Sequence, residues 1–215
     1  MCKRLICLVT LVLIAGPVST TWAAIDSSLV GWWKLDETAG VVAKDSSGMG
    51  NDGEVLGGAQ WGEGQINGGL VFDGSNGYVS LPIGPVIGTL TNCSVAIWAN
   101  FSQAGGSWQR LWDIGNSSAA GYMFLTPSVG APGGVLRFAI TTASWGDEQQ
   151  VSASGTLPSG WHHVTVVIDA DNDNMYLYLD GEVAGQNLNA DLTPSDLGET
   201  TQNWLGRSQY GADAY

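Results

Sequence analysis

The chain has 215 residues, of which 20 are acidic and 7 basic, so its formal net charge is −13 at pH 7. A surface this acidic repels the phosphate backbone, which excludes nucleic acid as an expected partner. Thirty-one glycines, ten tryptophans and only 13% charged residues are typical of a single domain built from short strands and tight turns.

The first 23 residues have the pattern of a signal peptide. Two basic residues precede an apolar run over residues 5–15, which is shorter than the roughly 20 residues that a membrane span needs. Small residues up to Ala23 fit cleavage at that point. We therefore expect residues 24–215 to form the mature domain, secreted and not inserted in a membrane. It keeps one cysteine, Cys93, so no disulfide can form within it.

Short β-rich runs separated by turn residues make up the rest of the chain. No stretch after residue 25 has the period of a long amphipathic helix. Within 94–101 and 162–168, apolar residues alternate in the two-residue period of a half-buried strand. Strands are predicted over residues 29–35, 69–72, 78–81, 94–101, 110–114, 122–125, 136–142, 161–169 and 175–179.

Two turn motifs indicate how these strands connect. Asp180-Gly181 lies between two β-rich runs, and both residue types tolerate the positive φ angles of a two-residue hairpin turn. The segment 73–77 predicts a second hairpin with a longer loop. The fold class is therefore all-β, a two-sheet antiparallel sandwich or jelly roll.

Six short motifs stand in a familiar order along the chain. They are LVGWWKLDE at 29–37, KDSSGMGNDG at 44–53, LVFDG at 70–74, WHHV at 161–164, LYLDG at 177–181 and WLGRS at 204–208. With them, residues 29–215 resemble the laminin-G-like jelly-roll domains of the concanavalin A-like lectin and glucanase superfamily. The resemblance implies two packed antiparallel sheets, secretion, and a role as an accessory module in bacterial carbohydrate-active or surface proteins.

One departure concerns the end of the sequence. Domains of this kind usually continue into a strand of the pattern F-x-G-x-I-D-E-x-R-x-Y, whereas this sequence ends at Tyr215. The resemblance therefore predicts that the closing strand is missing and that residues 24–215 are a fragment of a longer protein. The alternative is that the family pattern is altered at its end.

The glucanases of this superfamily carry their catalytic carboxylates in a recognisable pattern. They place them on alternate residues of one strand, as in E-x-D-x-E, so that both carboxyl groups face the cleft. The sequence lacks that pattern, and Asp147-Glu148 are adjacent and would point to opposite faces of a strand. We therefore expect a non-catalytic module, and a glycoside hydrolase with a pair assembled from distant loops ranks third among the hypotheses.

Calcium is the cofactor that the sequence best supports. It prefers six to eight oxygen ligands, which flexible loops rich in Asp, Asn and Gly can supply. The segment 45–53 is such a loop, and Asp45, Asn51 and Asp52 are its candidate ligands. The alternative interpretation is a turn in which these side chains bind their own backbone.

The aromatic residues divide into two groups. Trp32, Trp33, Trp98, Trp161 and Trp204 fall in or beside predicted strands and are expected in the core. A second group lies in or near Gly- and Ser-rich connections and supplies candidates for stacking on sugar rings: Trp108, Trp112, Trp145, Tyr122 and Tyr210.

The leading hypothesis is therefore a secreted, non-catalytic module that binds carbohydrate, with or without calcium. A module for adhesion or protein interaction in a larger surface protein is the alternative.

Overall fold

The structure is a computed structural model that describes residues 28–102, 107–130 and 134–211. The predicted signal peptide and the last four residues lie outside these ranges. One short helix, α1 Gly84–Ile87, accompanies the strands. The strands are β1 Val42–Ala43, β2 Gly53–Leu56, β3 Gln60–Glu63, β4 Gly68–Val71, β5 Tyr78–Ser80, β6 Cys93–Phe101, β7 Trp112–Gly115, β8 Tyr122–Thr126, β9 Arg137–Thr141, β10 Gln149–Ser152, β11 Gly160–Asp169, β12 Asn174–Leu179, β13 Glu182–Asn187 and β14 Gln202–Leu205.

These strands form two main antiparallel sheets. The eight-stranded sheet has the order β1-β2-β5-β14-β7-β8-β9-β10, and the four-stranded sheet has the order β13-β12-β11-β6. Strands β3 and β4 pair separately as a two-stranded ribbon. The all-β, two-sheet sandwich predicted from the sequence is confirmed. No helix of the described ranges is long and apolar enough to cross a membrane.

Alternating side chains place the core between the two sheets. In β11, Val164, Val166 and Ile168 are at most 2% exposed, and the residues between them point outwards. Trp112 and Phe138 of the larger sheet meet them from the other side in the same cluster. Each such buried side chain contributes about 1.5–3 kcal/mol to folding, so this layer holds the domain together without a disulfide.

The hairpin predicted at Asp180-Gly181 is confirmed. Both residues have positive φ, 52° and 87°, and strand β12 pairs with β13 directly across the turn. The Asp180 carboxylate closes the end of the hairpin, because it accepts a hydrogen bond from the backbone of His163 at 2.9 Å.

Two other predictions are wrong. Residues 29–35 form no strand and make only an isolated bridge from Trp33 to Asp45, and Leu35 has φ 59°, which lies outside the strand region. Segment 73–77 does turn the chain, with Asp73 Oδ1 accepting three backbone hydrogen bonds. However, β4 and β5 on either side of it belong to different sheets, so this turn is not a hairpin.

The predicted missing strand stays a prediction. Among the described residues, β6 pairs with β11 only, and its other edge has no partner there.

Candidate functional site

A second packed layer covers the outer face of the eight-stranded sheet. Tyr122, Phe124 and Ala139 point away from the core yet are at most 1% exposed, because the rings of Trp108 and Tyr210 pack over them. Trp108 holds this position with the strained backbone angle φ 67°, and its N–H donates to Ser128 O at 2.7 Å. Strain of this kind is concentrated at functional sites, which makes this face the first candidate.

A buried ion pair lies at the centre of this layer. Arg110 Nε donates to Asp113 Oδ2 at 3.0 Å, and the two side chains are only 2% and 1% exposed. The guanidinium also donates to Trp108 O at 2.6 Å and lies 4.1 Å above the Phe124 ring. Gln209 N–H donates to the same Asp113 oxygen at 3.1 Å, which ties the segment after β14 to the sheet.

The carboxylate of Asp113 is unusual in two ways. Its Oδ1 is buried and has no hydrogen-bond partner among the described residues. Burial raises the pKa of Asp113 to about 7, and the charge of Arg110 and the N–H of Gln209 only partly oppose that rise. The Asp113 carboxylate can therefore take up a proton near neutral pH. Asp113 also lies below the surface, where no large ligand can contact it.

A chain of hydrogen bonds runs beside the ion pair. Tyr122 O–H donates to Glu148 Oε1 at 2.7 Å, and the hydroxyl of Tyr210 lies 3.0 Å from that of Tyr122. Tyr210 O–H also lies 3.3 Å from Ser118 O. Burial raises the pKa of Glu148 and also that of Tyr122, so this cluster favours the neutral form of both groups.

An open cavity of about 250 Å³ lies next to these hydrogen bonds. Arg207 lies in its wall, with the guanidinium 4.3 Å above the Trp204 ring and 4.6 Å above Tyr78. Gln209 Nε2 donates to Gln202 O at 3.0 Å, while Gln209 Oε1 is buried without a partner among the described residues. The lining residues are Gln202, Trp204, Arg207, Ser208, Gln209, Tyr210 and Gly211.

The structure brings together three of the five aromatic residues proposed for sugar stacking. Trp108, Tyr122 and Tyr210 form one cluster, and Tyr210 reaches the cavity. Tyr122 is 0% exposed, so its ring cannot stack on a ligand, and that assignment is corrected. Trp112 is also corrected, since it points into the core, 2% exposed, against Phe138.

Trp145 remains available for contact with a ligand. It is 76% exposed and begins the short 3-10 turn Trp145–Asp147, directly before Glu148.

The expectation that five other tryptophans lie in the core is wrong for two of them. Trp32 is 46% and Trp98 is 40% exposed, because each occupies an outward position. Trp33 packs against the core. Trp161 and Trp204 are half-buried.

The proposed calcium loop is organised by hydrogen bonds within the protein. Asp45 Oδ1 accepts from the N–H groups of Trp32 and Ser47, and Oδ2 accepts from Ser47 Oγ and Asn51 N–H, all within 2.7–2.9 Å. Both carboxylate oxygens thus have two donors each, and the pKa of Asp45 falls to about 2 although its partial burial opposes the shift. Asp52 Oδ2 forms an ion pair with Lys44 Nζ at 2.6 Å.

These bonds form the turn that was the alternative interpretation of the loop. The side-chain Nδ2 of Asn51 donates a hydrogen bond to Val30 O at 2.9 Å. Across the described part of the chain, no three His, Cys, Asp or Glu residues are grouped to hold a metal ion. Calcium at Asp45, Asn51 and Asp52 stays a prediction that needs a measurement.

Several residues of this site were missed by sequence reasoning. No sequence motif contains Arg110, Asp113 or Glu148. They lie near one another only because the strands beside them pair in one sheet. Trp204 and Arg207 belong to the WLGRS motif, which marked the family but was not interpreted as part of a site.

The chain is similar to several known proteins. Residues 73–215 match the family described as the concanavalin A-like lectin/glucanases superfamily. Comparison with curated proteins finds no significant match.

Among solved structures, an S-layer domain-containing protein from Clostridium thermocellum is 27% identical, with a TM-score of 0.50. That alignment covers 85% of this chain and 83% of the other. The binding domain of Paraclostridial Mosquitocidal Protein 1 is 13% identical, with a TM-score of 0.51. That alignment covers 77% of this chain and 46% of the other.

The CBM40 of Ruminococcus gnavus IT-sialidase, bound to α2,3-sialyllactose, is 15% identical with a TM-score of 0.49, covering 60% of this chain and 70% of that one. The family match spans about two thirds of the sequence, and the two-sheet sandwich agrees with it. The chain therefore belongs to the concanavalin A-like lectin/glucanases superfamily.

Proposed function

We propose that this protein is a secreted, non-catalytic module that binds carbohydrate in the cavity on the outer face of the eight-stranded sheet. The observation that carries the proposal is the composition of that cavity, where aromatic rings, amides, a hydroxyl and a guanidinium converge on about 250 Å³. Pockets for drug-sized ligands range from about 300 to 1,000 Å³, so this one suits a sugar unit rather than a long stretch of chain.

The polar groups of the cavity match what a sugar offers. The amides of Gln202 and Gln209, the Ser208 hydroxyl and the Arg207 guanidinium line its wall and can bind sugar hydroxyls. The Trp204 and Tyr210 rings provide apolar surface for the C–H groups of the sugar. Trp145, exposed beside Glu148, extends the contact area for a longer glycan.

The carboxylates of this face support a non-catalytic role. A retaining glycosidase needs two carboxyl groups about 5 Å apart that reach the bond to be cleaved. Asp113 is 0% exposed and is held by Arg110 and Gln209, and Glu148 binds Tyr122. Substrate therefore has no access to Asp113 as an acid or a nucleophile.

A second candidate function is interaction or adhesion at a cell surface. The observation that favours it is the similarity to the S-layer domain-containing protein, which is 27% identical over 85% of this chain. Binding to a cell-wall glycan would satisfy both proposals, whereas binding to a protein partner would favour the second.

Affinity gels containing soluble polysaccharides, run with and without calcium, test the proposal. We expect retention on at least one gel, and Gln209→Ala should weaken it roughly five- to thirtyfold, the effect of losing about 1–2 kcal/mol of hydrogen bonding. Gln60→Ala is the matched control, because Gln60 is exposed on β3 outside the cavity. Absence of retention on every glycan, or equal retention of Gln209→Ala, would refute the cavity as a carbohydrate site.

A further inference from the structure

The outer face of the four-stranded sheet lies on the opposite side of the core from the cavity. Fourteen side chains of its strands point outwards, as the strand register and the alternating burial define them. We call this set the small-sheet face. It consists of Ser94, Ala96, Trp98, Asn100, Trp161, His163, Thr165, Val167, Asp169, Asn174, Tyr176, Tyr178, Val183 and Gln186.

The composition of this face differs from that of the chain as a whole. Only one of its fourteen positions, Asp169, carries Asp, Glu, Lys or Arg, although the protein contains 27 such residues. Carboxylates occur at its ends, at Asp169 and Asp180, where β11 and β12 run into turns. Depletion of charge together with enrichment of aromatic residues is the composition of the centre of a binding surface.

The aromatic rings form two neighbouring groups on this face. Trp98 is 40% exposed, and its ring centroid lies 5.2 Å from that of His163 on the adjacent strand. Tyr176 and Tyr178 have centroids 6.3 Å apart on β12. Strands β6 and β12 are separated by two strand spacings, about 9–10 Å, so the rings extend over a surface wide enough for several sugar rings.

We infer that the small-sheet face is a second binding surface, which takes an uncharged polysaccharide with Trp98 as its anchor. Rings supply apolar contact, and the uncharged groups of Asn100, Thr165 and Gln186 offer donors and acceptors for hydroxyls. Because the core separates this face from the cavity, the two surfaces can hold different chains at once, and their combined affinity would exceed either alone.

The charge of each candidate ligand determines which of them can bind to the small-sheet face. A second copy of this chain would bring a net charge of −13 against another −13, which opposes close association of the two faces at low salt. An anionic glycan or a nucleic acid meets the same repulsion. An uncharged polysaccharide does not meet this repulsion, and the aromatic rings of this face offer apolar surface to the C–H groups of its sugar rings.

Depletion assays on insoluble, uncharged polysaccharides test this inference, with microcrystalline cellulose, chitin and insoluble xylan as the probes. The wild-type chain should be depleted from solution on at least one of them, and Trp98→Ala should weaken that binding roughly ten- to thirtyfold. Trp32→Ala is the matched control, because Trp32 is 46% exposed and lies outside the small-sheet face. Gln209→Ala should still bind, which separates this surface from the cavity.

A second variant guards against a folding defect in Trp98→Ala. Ala96→Glu keeps every ring and adds one carboxylate beside Trp98, at an exposed position of β6, and should also weaken binding. Sedimentation velocity is run in parallel. No depletion of the wild type on any probe would overturn the inference, as would equal depletion of Trp98→Ala. A wild-type dimer that Trp98→Ala dissociates would overturn it in favour of self-association.

Discussion

Arg110 and Asp113 form an ion pair in the interior of the protein, with Nε and Oδ2 3.0 Å apart and both side chains at most 2% exposed. Desolvation of two charges offsets most of their attraction, so such a pair contributes little net stability, but each partner depends strongly on the other. The pair also joins residues 108–113 to the segment after β14, because Arg110 donates to Trp108 O and Asp113 accepts from the N–H of Gln209 in the wall of the cavity.

Removal of Arg110 should therefore be strongly destabilising. At pH 8, where Asp113 is ionised, Arg110→Met should lower the free energy of unfolding by about 3–5 kcal/mol, measured by urea denaturation. Lys44→Met is the control, because its ion pair with Asp52 is exposed and its loss should leave the midpoint nearly unchanged. The double variant Arg110→Met/Asp113→Leu should recover part of the loss. A single variant within about 1 kcal/mol of wild type would contradict the coupling.

The same carboxylate should give stability a distinctive pH dependence. Burial raises the pKa of Asp113 from 3.8 to about 7, so between these values the folded state holds a proton that the unfolded chain has lost. Its contribution to stability is then complete below pH 3.8 and declines as pH rises to about 7. Relative to Asp113→Asn, the wild type should lose stability from pH 4 to 7 and change little above pH 8. A constant difference from pH 4 to 8 would show that Asp113 is ionised throughout.

Asp45 should show the opposite pH dependence. Its pKa is lowered to about 2, so its contribution is present above 3.8, the ordinary value, and is lost as pH falls towards 2. Asp45→Asn replaces one acceptor oxygen by a donor that faces Ser47 Oγ and Asn51 N–H, and should cost about 1–3 kcal/mol at pH 7.

Thermal unfolding in calcium and in chelator separates the two interpretations of this loop. The hydrogen-bonded turn predicts that Asp45→Asn is destabilised equally in both. Calcium binding predicts that only the wild type gains stability from calcium, by about 2.7 kcal/mol at a hundredfold excess over the dissociation constant. A wild type unaffected by calcium would remove the metal from this loop.

The Asp180-Gly181 turn should be sensitive to a single methyl group. Gly181 has φ 87° and nothing within 4 Å of an added Cβ, so Gly181→Ala has room but pays for the left-handed backbone. We expect a loss of about 1–2 kcal/mol in the free energy of unfolding. Gly146→Ala is the control, because Gly146 also has open space and its φ is not positive. Equal effects in both variants would contradict a conformational origin.

The strands that could be predicted are those with strong local signals. Residues 94–101 and 161–169 show an alternating pattern because one face of each strand is buried, and Asp180-Gly181 identifies a hairpin because few residue pairs accept two positive φ angles. Strands β2, β3, β10 and β14 have four residues each and were missed, since their Gly- and Gln-containing sequences have no period that could be recognised.

The sequence by itself determined the all-β class, the family and the acidity of the chain, because composition, turn chemistry and motif order are properties of the chain alone. It could not decide which aromatic residues are accessible. Trp112 and Trp98 both lie in strands, yet one is 2% and the other 40% exposed, because sheet register and the packing of a second layer set the face that each presents. Tertiary structure alone brought Arg110, Asp113 and Gln209 together, since residues distant in sequence meet only when β14 pairs with β7.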